Sequence, residues 1–308
     1  MITIPQAFVQ STITREGEAG RQWLDQLPRL VDALCGQWNL VLEGPVRHGY
    51  LGLVMPVRRG AEPCVLKISW LEESNVDEAT ALAAWNGQGA VRLLAVDPEQ
   101  GALLLERLDA SRSLRDLPVT EAVVIAGQLL RRLAIPAPSG LRTVATMAAA
   151  MASSLPERWE RYGRPMPRSV LDHACDLARH LGPTGGNLLV NYDLIYEDVL
   201  AGQREPWLVV DPKVAVGDPS FGLAQLLWTR LEEIEAAGGL ERHFRLLVEA
   251  AELDLELSRA WTLIRCVDYW LWGLSVGLTV DPVRCAKITN WLSDDSHGKT
   301  VAVETATC

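Results

Sequence analysis

The chain has 308 residues, 48% of them apolar and 22% charged, with a formal net charge of −10. That length accommodates two lobes with separate cores, and the composition is ordinary for a globular protein. The acidic balance excludes the basic surface that non-specific nucleic-acid binding requires.

Taken in order, residues 1–36 carry a helical pattern around Trp23, Leu24, Leu27, Leu30, Val31 and Leu34, which suits a helix lying outside a first sheet. Trp38–Val41 reads as a strand. Gly44–Gly52 then holds three glycines before the strand Leu53–Val57. Glycines between strands let backbone N–H groups approach phosphates. No GK[ST] follows, so this is not a Walker A loop, and an ordinary hairpin accounts for the glycines taken alone. Pro63–Ser69 is a short apolar strand with Lys67 in its middle. An ammonium inside such a run is costly unless it has a partner. Glu78, opening the helix Asp77–Asn86, is a candidate partner, and its place in the first turn also suits the helix dipole. An outward-facing Lys67 on a surface strand stays open as the other reading.

Ala90–Val96 and Ala102–Glu106 read as strands around the turn Asp97–Gly101. Arg107–Ala110 breaks the apolar pattern and helices take over. This places a lobe boundary after residue 106, giving an N-terminal lobe over 1–106 and a C-terminal lobe over 107–308. Helical segments are expected at Thr120–Ala134, Val144–Ser154, Arg168–Leu181, Phe221–Ala237, Glu256–Leu278 and Pro282–Leu292, with a polar, mobile tail from 293 to 308. Asp218 before Pro219 is an expected N-cap.

Between these helices lies Asn187–Lys213, read as strand, loop, short strand, turn and strand. Its apolar runs are Leu188–Val190, Val199–Leu200 and Trp207–Val210. Three carboxylates, Asp193, Asp198 and Asp211, stand at the ends of these runs, where irregular backbone handles hard cations and hydroxyl nucleophiles. The step from Asp193 to Asp198 has the spacing of a kinase catalytic loop, in which an Asp orients the attacking hydroxyl and a residue five positions on holds magnesium. A second metal-binding acid follows after a hairpin.

The remaining signals are exclusions. Six cysteines (Cys35, Cys64, Cys175, Cys266, Cys285, Cys308) lack CxxC spacing, so neither a disulfide framework nor a zinc site is indicated. The first ten residues do not read as a signal peptide. Arg265 and Asp268 interrupt the apolar stretch Trp261–Leu278, which therefore reads as a buried helix rather than a membrane span. A cytoplasmic protein with reduced thiols and no membrane partner is expected.

The order of elements is more specific than any one of them: glycine-containing hairpin, strand lysine, helix glutamate, strand-to-helix switch, loop aspartate, metal residue, hairpin and second metal aspartate. With Trp85–Leu94, Leu103–Arg107 and above all Glu205–Pro219, the chain resembles the aminoglycoside phosphotransferases over roughly residues 40–292, most closely the streptomycin 6-kinase and hydroxyurea phosphotransferase branch. The resemblance implies an α+β, protein-kinase-like two-lobe fold, with an N-terminal antiparallel sheet lobe and a mainly helical C-terminal lobe. It implies transfer of the γ-phosphate of ATP, with GTP left open, to a hydroxyl of streptomycin or a similar antibiotic, with Mg2+ as the metal. In that scheme Lys67 holds phosphates, Glu78 pairs with it, and the base is bonded near Glu106–Leu108. Asp193 orients the hydroxyl or accepts its proton, and Asp198 and Asp211 hold the metal. Lys213 faces the phosphoryl group or pairs with a carboxylate.

The sequence also departs from the family pattern. Asn191, Tyr192, Ile195 and Asp198 stand where relatives carry His, a small residue, a second His and Asn, and Gly222 stands where many carry Asp. Asn191 is expected to replace in part the hydrogen bonds of the first His, whereas Ile195 cannot hydrogen-bond, so one loop support and, at Gly222, one further contact are expected to be missing. A pseudokinase that binds nucleotide without turnover is the alternative these changes raise, and a metal-dependent hydrolase is a third. The acceptor stays open between a cationic aminoglycoside and an uncharged molecule; acids such as Glu232, Glu233, Glu235 and Asp268 either meet the former or, for several of them, simply line solvated helix faces. The protein is expected to be a monomer or homodimer.

Overall fold

In a computed structural model, which describes residues 2–297, the N-terminal helical pattern forms α1 (Gln6–Trp38), broken at Gly17. Trp38 is its last residue and not the start of a strand. Asn39 follows at φ 54° and donates its backbone N–H to the Cys35 carbonyl, so the chain leaves the helix one step later than the apolar pattern suggests.

The strands β1 (Leu40–Leu42), β2 (Arg47–His48), β3 (Gly52–Arg59), β4 (Glu62–Ser69), β5 (Leu93–Asp97) and β6 (Ala102–Glu106) form one antiparallel sheet in the order β1-β3-β4-β6-β5, with β2 on β3. The glycine-containing stretch thus holds β2 and the turn 49–51 of a β2–β3 hairpin. Side chains alternate along a strand, so Leu53, Met55 and Val57 of β3 share a face with Cys64, Leu66 and Ile68 of β4. All six are fully buried, and they form one core cluster with Leu24, Leu27, Val31 and Leu34 of α1. Lys67 falls on the opposite face. There the short helix α2 (Glu78–Trp85) follows β4. Ala90–Val96 does not pair as one strand. Only β5 pairs with β6, while Ala90 and Val91 are drawn to Val209, with Val91 donating to the Val209 carbonyl at 2.9 Å.

Strand β7 (Asp109–Ser113) joins a three-stranded sheet, in the order β10-β9-β7, with the hairpin β9 (Val199–Ala201) and β10 (Trp207–Val209). The chain divides into two units: one runs to Ser111 and includes Leu200–Val210, and the other comprises Arg112–Val199 and the chain from Asp211 onward.

The second unit is mainly helical. It contains α3 (Val119–Leu133), α4 (Val144–Arg161), α5 (Arg168–Leu181), α6 (Ala224–Trp228), α7 (Leu231–Ala236), α8 (Leu240–Ala251), α9 (Leu255–Ser275) and α10 (Asp281–His297), around the two-stranded sheet of β8 (Leu188–Asn191) and β11 (Val214–Gly217). Helix α4 runs past the expected stop at Ser154 because Trp159 anchors its last turn, donating its indole N–H to the Met166 carbonyl at 2.9 Å. The single helix expected over Phe221–Ala237 is instead a 3-10 turn and two short helices. They part at Thr229–Arg230, where the Arg230 guanidinium is buried and donates to the Leu114 and Leu117 carbonyls. Helix α8 and strand β11 have no counterpart in the expected elements. Asp218 caps as expected, its carboxylate accepting from the Ser220 N–H at 2.8 Å. Among the described residues no helix is long and apolar enough to cross a membrane. The mobile tail expected over 293–308 lies, from residue 298, outside the described residues, and α10 continues up to there.

Helices α3 and α8 meet at Gly127. A Cβ at that position would lie 2.8 Å from the Ala250 Cβ and 2.9 Å from the Leu247 carbonyl oxygen. Gly127→Leu is therefore expected to lower the unfolding free energy by about 1–3 kcal/mol through overpacking. Urea denaturation checks this; an unchanged midpoint would contradict the close helix crossing.

Candidate active site

The first unit carries Lys67 and Glu78. On the face of β4 away from α1, the Lys67 ammonium lies 2.5 Å from a Glu78 carboxylate oxygen, with the two residues 8% and 4% exposed. Of the two readings of Lys67, the inward one is observed. Buried charges persist when they are paired, and this pair anchors the sheet to the first turn of α2.

Glu106 closes the same sheet. Its carboxylate accepts from the Arg92 N–H at 2.9 Å and from Arg204 at 3.0 Å, and its own N–H donates to the Arg92 carbonyl at 3.0 Å. Arg204 also donates to the carbonyls of Gly87 and Ala90. The Glu106 side chain thus ties the β9–β10 hairpin to the sheet, and its N–H is already engaged. Leu108 is half-buried beside Gly202.

The second unit carries the three aspartates. Strands β8 and β11 pair antiparallel with Asn191 opposite Val214, and the Tyr192 N–H donates to the Lys213 carbonyl at 2.9 Å. That register continues the ladder one residue beyond β8, so Asp193 leaves the strand beside the Asp211–Lys213 segment. Lys213 Nζ lies 2.8 Å from Asp193 Oδ2. Burial pushes the Lys213 ammonium pKa down, but the Asp193 charge and hydrogen bond outweigh it, with Asp211 adding to them, and the net shift is upward. Asp198 ends the 3-10 turn Tyr196–Asp198 and is half-buried. Asp211 is exposed and sits at φ 49°, a left-handed backbone in which Asp and Asn are enriched.

Two exposed or half-exposed carboxylates are a hard-oxygen donor set. Among the described residues no group of three or more His, Cys, Asp or Glu could hold a metal unaided. This donor set fits Mg2+, which takes one or two carboxylates and keeps waters or substrate phosphates for the rest.

The loop supports expected to be missing are replaced. The Asn191 side-chain oxygen accepts from the Asp193 N–H at 3.2 Å. Ile195 makes no side-chain hydrogen bond, but its neighbour Tyr196 is fully buried and donates its hydroxyl to the Leu226 carbonyl at 2.8 Å. Arg265 on α9 donates to the Tyr192 carbonyl at 3.2 Å. Gln225 on α6 donates to Asp193 Oδ1 at 2.5 Å. Gly222 is required where it stands, because a Cβ there would lie 2.5 Å from the Asn191 carbonyl oxygen. Gln225 and Tyr196 are absent from the residues picked out of the sequence, and Arg265 was picked out only as an interruption of an apolar stretch. The signal available was the one that singled out Lys67: a polar residue inside an apolar run, as Gln225 is in Phe221–Trp228 and Arg265 in Trp261–Leu278.

The acids considered for a cationic acceptor all have basic partners. Glu232 lies 2.6 Å from Arg284, Glu233 2.5 Å from Arg115, Glu235 3.1 Å from Lys287 and Asp268 2.6 Å from Arg158. The first three lie on exposed faces and act there as surface ion pairs.

The model of the aminoglycoside/hydroxyurea antibiotic resistance kinases matches residues 37–277. The chain belongs to this family. Streptomycin 6-kinase of Streptomyces griseus is 39% identical to it over 285 residues, spanning 90% of this chain and 93% of that protein. Hydroxyurea phosphotransferase of Kitasatospora aureofaciens is 37% identical over 289 residues, spanning 92% and 84%. Among solved structures, a thermostable mutant of aminoglycoside phosphotransferase APH(4)-Ia in complex with AMP-PNP and hygromycin B superposes with a TM-score of 0.60 at 16% identity, covering 87% of this chain and 99% of that one. Choline kinase LicA from Streptococcus pneumoniae gives a TM-score of 0.57 at 14% identity, covering 87% and 99%. The fold is thus the α+β protein-kinase-like fold, and this resistance-kinase family member is a phosphotransferase.

Removing Glu78 breaks the buried ion pair with the Lys67 ammonium. Glu78→Ala is expected to lower the unfolding free energy by about 1–3 kcal/mol. Denaturant unfolding measures this, and a loss below about 1 kcal/mol would contradict the pair's burial.

Proposed function

We propose that this kinase transfers the γ-phosphoryl group of ATP to a hydroxyl of a streptomycin-type aminoglycoside and so confers resistance to it. The observation that carries the proposal is the near full-length likeness to streptomycin 6-kinase of Streptomyces griseus. ATP as donor is favoured by the ADP and AMP-PNP complexes of aminoglycoside phosphotransferase APH(4)-Ia. Hydroxyurea is the second candidate acceptor, on the strength of the relative named for it.

The residues divide the work as follows. Lys67, oriented by Glu78, holds the α- and β-phosphates. Backbone groups near Glu106 and Leu108 receive the base. Asp193 accepts the proton of the attacking hydroxyl or fixes its direction. Asp198 and Asp211 hold magnesium, which when bound neutralises charge between the phosphates. Asp198, where the family has Asn, brings one more negative charge toward the phosphates, so phosphate transfer depends more strongly on the metal here. The pseudokinase reading rested on a loop lacking its usual supports, and Asn191, Tyr196, Arg265 and Gln225 supply substitutes. The hydrolase reading has no support among the relatives, which are named as kinases and phosphotransferases.

Incubation with ATP, Mg2+ and a panel of streptomycin, other aminoglycosides and hydroxyurea, read by mass spectrometry, is expected to show one phosphate added to streptomycin. Asp193→Asn is expected to lower kcat by about 10²–10⁴-fold with nucleotide affinity kept. Asp211→Ala is expected to remove the dependence of nucleotide binding on Mg2+. The absence of any phosphorylated product, or full turnover by Asp193→Asn, would overturn the assignment.

A further inference from the structure

The carboxylate of Asp193 is gripped on both oxygens. Oδ2 faces Lys213 Nζ at 2.8 Å and Oδ1 accepts from Gln225 Nε2 at 2.5 Å. The second grip comes from a residue outside the loop, 32 positions further along the chain. Gln225 is itself held. Its amide oxygen accepts from Arg265 Nη2 at 3.4 Å, and the same Nη2 donates to the Tyr192 carbonyl at 3.2 Å. The orientation of the amide follows from chemistry alone: a guanidinium only donates and a carboxylate only accepts, so the oxygen must face Arg265 and the nitrogen Asp193.

Arg265 has little freedom to move. It is 6% exposed, and its guanidinium lies over the rings of Phe221 at 4.8 Å and Tyr192 at 5.6 Å. Asp268, one helical turn on, stands 4.0 Å from Nη1 and balances the charge, while Arg158 holds Asp268 at 2.6 Å. Gln225 is 7% exposed, so the contact with Asp193 is shielded from solvent on the Gln225 side. A buried amide in such a chain of donors and acceptors has one satisfied arrangement, and that arrangement fixes a single direction for the carboxylate.

We infer that Gln225 is a positioning residue for the phosphotransfer step, holding the Asp193 carboxylate at the angle the acceptor hydroxyl requires, and that Arg265 sets Gln225. This inference rests on the proposed role of Asp193. Gln225 is buried, and its amide is taken up by Asp193 and Arg265. It acts through the carboxylate, so its loss affects turnover and not substrate binding. Lys213 alone then holds Asp193, through a flexible stem that leaves the carboxylate free to turn about its own axis.

The test uses three variants of the full chain. Gln225→Met keeps the length and shape but has no amide. Gln225→Asn keeps the amide but is one methylene shorter. Gln225→Glu retains an oxygen for Arg265 and sets a carboxylate against Asp193. For each, kcat and KM for ATP and acceptor are measured alongside the melting temperature, and a crystal structure reads the Asp193 rotamer. The expected result is a kcat lowered by roughly tenfold to a hundredfold in Gln225→Met and Gln225→Asn, the scale seen when a residue orienting a functional group is lost. Gln225→Glu is expected to lose more. KM values are expected to stay within about twofold of wild type, and Asp193 turns from its wild-type rotamer. A fall in melting temperature with kcat per folded enzyme unchanged, or an Asp193 rotamer that does not move, would overturn the inference. Absence of turnover in the wild type would instead sink the phosphotransfer reading; the rotamer measurement would still decide whether Gln225 orients Asp193.

Discussion

The second unit of this molecule is organised around one carboxylate held in place. Asp193 leaves strand β8 just past its last paired residue, and a free side chain there would sample several rotamers. Its two oxygens are instead taken by an ammonium from the β10–β11 segment and an amide from α6. Each of those groups depends on a longer element. Lys213 is placed by the β8–β11 register, and Gln225 by an arginine from the middle of α9, a helix of 21 residues. The buried Trp261, Thr262, Ile264 and Val267 seat α9 in the core, and this rigidity passes through Arg265 to the loop. A functional group held by packed helices is more sharply defined than one carried by a loop alone.

The same construction explains how the loop tolerates residues foreign to its family. A histidine at position 191 or 195 would brace the loop locally. Here the bracing is tertiary. Tyr196 reaches the Leu226 carbonyl in the middle of α6, Arg265 reaches the Tyr192 carbonyl, and Gly222 lets the 3-10 turn before α6 approach the Asn191 carbonyl closely enough to bring Gln225 within reach. Gly222 and Gln225 sit three residues apart on one short segment, so the substitution that looked like a lost contact is what makes room for another.

Much of this arrangement was legible in the residues. Helix α5, strand β6 and the Asp218 cap lie where period and capping chemistry put them. The buried lysine of β4 found the partner that the cost of an unpaired ammonium demanded. Other features escaped for identifiable reasons. Helix α8 is the exception, since its apolar stripe of Phe244, Leu247, Val248 and Ala251 was readable. Strand β11 is four residues long and takes its identity from pairing with β8, which no local pattern specifies. The break at Arg230 arises from carbonyls over 110 positions away in the chain. Gln225 and Arg265 were visible as polar residues in apolar runs, but contacts spanning 32 and 73 positions are set by the fold, not by local spacing. The acids that looked available to a cationic acceptor are taken up by arginines and a lysine on neighbouring elements, and only tertiary structure reveals it.

On this reading the loop is competent as it stands, because its support comes from α6 and α9. Rapid-quench measurement of a single turnover, with wild type and Asn191→His mixed with ATP, Mg2+ and streptomycin, tests it most directly. Wild-type enzyme is expected to transfer phosphate in the first turnover, and restoring the family histidine is expected to give no faster transfer. No transfer by the wild type, together with transfer by Asn191→His, would contradict it.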